Sequence, residues 1–124
     1  MRSLKLIAVM TVFVLAMVTL MVATQNQFGV ADVSKVTFND PIYVGTTLLP
    51  AGEYEVRHTM QGEAHVMVFK QLHAKNAAEV QVKCTLVPLE KKADQTATFY
   101  TNNDKQQHVL NALEFKGDTA KHVF

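Results

Sequence analysis

Residues 36–56, VTFNDPIYVGTTLLPAGEYEV, decide how the rest of the chain is read. Val36 and Phe38 alternate with Lys35 and Thr37, the period of a strand with one buried face. Asn39-Asp40-Pro41 ends that strand, because proline has no amide hydrogen to give to a sheet ladder. Ile42-Tyr43-Val44 is a second short β segment, broken at Gly45. Leu48-Leu49-Pro50-Ala51-Gly52 then reverses the chain: Pro50 pre-sets φ, and Gly52 accepts a backbone angle that other residues resist. Tyr54, Val56 and His58 follow on one face of a strand whose other face carries Glu53, Glu55 and Arg57. Short strands separated by turn chemistry in this way are the founding piece of an all-β domain.

The same grammar continues toward the C-terminus. Gln61-Gly62-Glu63 is a hairpin signal, and AHVMVFKQL (residues 64–72) returns with Val66 and Val68 on one side and Met67 and Phe69 on the other, as in a central or covered strand. Residues 73–77 are polar and loop-like. Ala78, Val80, Val82, Cys84 and Leu86 then alternate with Glu79, Gln81, Lys83 and Thr85, which places Cys84 on an apolar face as a core thiol. PLEKKADQ (residues 88–95) reads as a connecting loop with room for a short helical turn. Residues 96–101 are β-rich, residues 102–105 form a turn, and residues 108–116 resume a strand with Val109, Leu113 and Phe115 inward. Gly117-Asp118 turns the chain into a last piece, residues 120–124. About seven to eight strands at spacings near ten residues predict a small antiparallel β-sandwich or barrel.

Ahead of this lies a different kind of segment. Arg2 and Lys5 precede an uncharged, mostly apolar run that starts at Leu6 and ends at Ala23, the order of an export signal. Eighteen residues at 1.5 Å each span about 27 Å, close to the minimum for a membrane helix, so the run is either a long signal peptide or an uncleaved anchor. The polar break at residues 24–27 and the small residues Gly29 and Ala31 favour cleavage before Asp32, with Ala23 a second position. The domains are then residues 1–31, signal or anchor, and residues 32–124, the β domain. Either outcome leaves the domain exported, periplasmic or extracellular, by the positive-inside rule, and membrane contact is confined to the Leu6-to-Ala23 run if it is retained.

Composition narrows the function classes. The 12 basic and 11 acidic residues become 10 and 11 once residues 1–31 are set aside, a formal charge of −1, and the lysines are scattered. No nucleic-acid footprint is present. A single cysteine cannot make an internal disulfide, so the domain depends on its apolar core and sheet hydrogen bonds.

The run PIYVGTTLLPAGEYEV (residues 41–56), together with Leu113-Glu114-Phe115-Lys116-Gly117 before a terminal aromatic strand, resembles a functionally uncharacterised family of small exported bacterial β-domain proteins. The resemblance implies the fold and export, and it implies no catalytic residues.

The candidate chemistry is sparse. Leu49-Pro50-Ala51-Gly52 is similar to a cell-wall sorting signal but lies mid-chain without the apolar span and basic tail, and reads as a turn. Glu53 and Glu55 lie about 7 Å apart on one strand face, where alternating charges on a solvated surface account for them. Of the five histidines, His58 and His65 flank the hairpin turn and are the metal candidates, with Cys84 able to join from a neighbouring strand. No recognised ligand spacing is present, so the histidines read as isolated, with no metal or other cofactor and no catalytic set. Tyr43 and Tyr100 are candidates for an aromatic ligand face. The expectation is an exported, non-enzymatic β domain with a binding or structural role toward an unknown protein or envelope component; the rivals are a small metal-binding protein or enzyme at the His58–His65 hairpin and a membrane-tethered subunit.

Overall fold

The computed structural model describes residues 29–124, and every regular element among them is a strand. The apolar run, and with it the choice between cleaved signal and retained anchor, lies outside the described residues. No helix among the described residues is long and apolar enough to cross a membrane.

Nine strands form among the described residues: β1 (Val33–Phe38), β2 (Ile42–Val44), β3 (Thr47–Leu49), β4 (Gly52–Gln61), β5 (Ala64–Gln71), β6 (Glu79–Pro88), β7 (Ala97–Asn102), β8 (His108–Glu114) and β9 (Ala120–Val123). They join into one sheet in the order β1-β4-β5-β6-β9-β8-β2-β3, with β7 paired to β8 off that path. The all-β class stands, and three details differ from the expectation. The strands number nine, because Gly45 at φ +62° folds residues 42–49 into two three-residue strands. The sheet is mixed, since β2 runs parallel to β8 with Ile42 opposite His108 and Tyr43 opposite Val109. It is also not closed into a barrel: β1 and β3 end the path without meeting. The loop at residues 88–95 contains no helical turn.

β6 explains how one sheet encloses a core. Its first part, from Glu79 to Cys84, pairs with β5, and its second part, from Thr85 to Pro88, pairs with β9. A strand that changes partners midway turns a corner in the sheet. The bend is sharp. β4 and β9 are three strand spacings apart, about 14 Å on a flat sheet, yet the rings of His58 and His122 lie 5.4 Å apart. The inner faces of both halves meet in one cluster that holds Val36, Phe38, Tyr54, Val56, Met67 and Phe69 from one side and Ile42, Val44, Leu49, Leu110, Leu113 and Phe115 from the other.

Aromatic contacts knit the centre: Phe38 lies 5.5 Å from Tyr54 and Phe69 5.9 Å from Phe124, between ring centroids. The Tyr54 hydroxyl, sunk in this cluster, donates to the Pro50 carbonyl at 2.6 Å, which ties the turn at residues 48–52 to the core. On β8 the inward residue is Leu110 rather than Val109. Asn111 is an extra residue between the pairs Phe99–Ala112 and Tyr100–Leu110, and this bulge shifts the alternation by one.

Candidate metal centre

The hairpin between β4 and β5 has a two-residue loop, Gly62-Glu63, with φ +64° at Gly62, the glycine position of a type II′ turn. So tight a loop fixes the register, setting His58 opposite Met67 and Met60 opposite His65. His58 and His65 are therefore diagonal neighbours on the inner face, within reach of long side chains. His58 Nε2 and His65 Nδ1 lie 3.2 Å apart, with the rings 13° from parallel and 5.2 Å between centroids. A ring centre lies about 1.1 Å from its own nitrogens, so these distances describe two rings joined edge to edge through an N–H···N hydrogen bond, at the usual hydrogen-bond limit.

The arc continues across the corner. Cys84 on β6 is directly opposite His65. One step further, His122 on β9 pairs with Leu86, which makes it the diagonal neighbour of Cys84. The Cys84 Sγ and His122 Nδ1 atoms lie 3.9 Å apart. One ligand atom each from His58, Cys84 and His122 lies within 4.8 Å of the others, and all three residues are buried. Phe115 closes the cluster with its ring at 64° to that of His122 and 5.6 Å away.

Outside His122 stands Asp118, four residues earlier and also buried. It sits on a turn held by backbone hydrogen bonds from Asp118 N to Phe115 O, Ala93 N to Asp118 O, and Thr119 N to Gly29 O. Its Oδ1 accepts the Ala31 amide at 3.1 Å, and its Oδ2 lies 3.7 Å from His122 Nε2.

Two groups are shifted by these surroundings. Burial pushes the Cys84 thiol up to about 11, which keeps it protonated. His58 is held below the ordinary histidine range, first by burial and then by the neighbouring His122 and His65 rings, against the opposing pull of Asp32 and Asp118.

The order Cys84, His122, Asp118 is that of a nucleophile, a base and an orienting acid. A nucleophilic cysteine needs a lowered pKa and access to its substrate. Here burial raises the thiol and covers all three side chains. The same arrangement suits a metal ion. Bonds of about 2.3 Å to sulfur and about 2.05 Å to nitrogen, at angles between tetrahedral and trigonal, put the two ligand atoms about 3.5–3.8 Å apart. The Cys84–His122 separation of 3.9 Å lies just beyond that range, so a small inward shift of the two side chains brings them to bonding distance of one ion. His65 and Cys84 also line a surface depression with Glu63, Lys83 and Phe124.

The remaining sequence candidates lie elsewhere. Tyr100 is half exposed, edge-on to His108 at 4.2 Å, and lines a shallow cleft with Phe38, Asp40 and His108. Tyr43 is not among the residues lining that cleft. Glu53 and Glu55 pair with Lys35 at 3.8 Å and Arg57 at 2.8 Å, as solvated strand charges do. Of the histidines read as isolated, His58, His65 and His122 converge. His122 and Asp118 were missed; the one available signal was the period of two that places Ala120 and His122 on the same face.

Comparison with protein-family models, with curated proteins and with solved structures gives no match for this chain.

Proposed function

We propose that this chain is an exported, non-enzymatic β domain of the cell envelope, sandwich-like in its packing, that binds one soft or borderline transition-metal ion at His58, Cys84 and His122. The observation that carries the proposal is the convergence of one thiol and two imidazoles, all buried, with ligand atoms within 4.8 Å of one another. Two nitrogens and one sulfur are a donor set for zinc or copper, and a poor one for magnesium or calcium, which prefer oxygen. Binding replaces the thiol proton with the ion, so the high thiol pKa protects the free site from adventitious chemistry without closing it to a metal. The export reading rests on Arg2, Lys5 and the apolar run that follows them.

The test is metal analysis of protein purified without a histidine tag, loaded with Zn(II) and dialysed. One equivalent is expected in the parent, and none in Cys84→Ala or His122→Ala once circular dichroism shows that the variants are folded. Zinc retained at parental stoichiometry by the folded variants would assign the binding to other side chains and overturn the proposal.

A further inference from the structure

The two buried side-chain atoms without a hydrogen-bond partner among the described residues are Asp118 Oδ2 and His122 Nε2, and they face each other at 3.7 Å. Asp118 is 3% exposed and His122 1%. Leaving a buried polar atom unpaired costs about 1–3 kcal/mol. This pair is nevertheless held in place, because the Asp118 turn is anchored to residues 29, 93 and 115 through the backbone. The His122 ring thus has one nitrogen, Nδ1, turned to the Cys84 thiol and the other turned to a carboxylate. Metal-bound histidines have this pattern: one nitrogen on the ion, the other donating to a carboxylate that fixes tautomer and orientation.

Charge decides which ions suit such a place. A net charge buried in an apolar core is costly, so a loaded site approaches neutrality. The Cys84 thiolate contributes one negative charge and the Asp118 carboxylate a second. The imidazoles of His58 and His122 bind as neutral ligands. Asp32, the other carboxylate that acts on His58, is exposed and screened by solvent.

On the reading that His58, Cys84 and His122 hold a metal, we infer that the site is matched to a divalent thiophilic cation, Zn(II) or Cu(II), and that Asp118 is the positioning residue that supplies the second negative charge. On binding, the S–H bond of Cys84 breaks, its proton leaves to solvent, and the thiolate, His58 and His122 each donate an electron pair to the ion. The His122 Nε2 keeps its proton and directs it at Asp118 Oδ2. Nothing is oxidised or reduced. A monovalent ion bound in the same way leaves one negative charge uncompensated in the core.

The experiment titrates parent and Asp118→Asn protein with Zn(II) and with Ag(I), a redox-inert, thiophilic, monovalent ion that displaces the same thiol proton. Asparagine keeps the shape and an acceptor oxygen but removes the charge. The expected result is a loss of about 10- to 100-fold in Zn(II) affinity, with Ag(I) affinity changed less than about threefold. Equal losses for both ions, or no loss of Zn(II) affinity, overturn the role of Asp118. Parent protein that binds Ag(I) and not Zn(II) overturns the divalent match while the metal site stands; parent protein that binds neither sinks the site itself. A second measurement needs no variant: nitrogen NMR of the Zn(II)-loaded parent should find His122 metallated at Nδ1 and protonated at Nε2. The opposite tautomer overturns the inference.

Discussion

At Gly52 the backbone sits at φ +149°, and a Cβ there would meet Gln71 Nε2 at 3.2 Å. Gly52→Val is expected to cost about 1–3 kcal/mol through backbone strain and crowding; a variant that melts like the parent would remove the turn assignment. Cys84 sets a second expectation at this scale. In the unfolded chain the thiol ionises near 9.0, whereas in the fold it keeps its proton to about 11. Between these values the unfolded state binds fewer protons, so stability falls as pH rises through that window, by at most about 2–3 kcal/mol. Urea unfolding at pH 8 and pH 10.5 should show the parent losing about 1–2 kcal/mol more than Cys84→Ala; equal losses would show that another group carries the alkaline sensitivity. Residue by residue, the site was half legible. The Gln61-Gly62-Glu63 turn signal brings His58 and His65 together, and strict alternation puts Cys84 inside. His122 could not be placed with them, because its position depends on β9 pairing with the second half of β6, a contact 38 residues from Cys84 that no local pattern encodes.

Among the elements, the stretch before β1 behaves as part of the domain. Val30 is fully buried, the Gly29 carbonyl accepts both the amide and the hydroxyl of Thr119, and the Ala31 amide reaches Asp118. Gly29, at φ +73°, leaves no room for a side chain, since a Cβ would overlap the Thr119 hydroxyl. A chain that begins at Asp32 loses all of this. It is expected to be less stable than one that begins at Thr24 by about 2 kcal/mol from the Val30 side chain alone, a fall in Tm on the order of 10 °C for a domain of this size. Equal melting of the two would show that these contacts add nothing. The comparison bears on processing, because cleavage after Ala23 keeps these contacts and cleavage after Ala31 removes them. Strand positions were legible from period-two alternation almost throughout. The bulge at Asn111 and the parallel pairing of β2 with β8 were not, since one depends on a single extra residue and the other on which half of the molecule a three-residue strand joins.

For the molecule as a whole, the all-β class follows from turn residues recurring about every ten positions, while the bend that makes a core of one sheet is a tertiary property of β6. That strand is held by two different partners, so its halves need not open together. Amide exchange should report them separately: the amides of Glu79 to Cys84 protected with the β4–β5 hairpin, and those of Thr85 to Val87 released whenever β9 lifts away. Cys84 is the last residue before the change of partner, and His122 belongs to the strand that would lift. An ion shared between them, as proposed, would work as a rivet across a hinge. Loading with Zn(II) should therefore slow exchange at Thr85 to Val87 and along β9 while leaving β1 at its metal-free rate, and the domain would exchange the breathing of its two halves for motion as a single body.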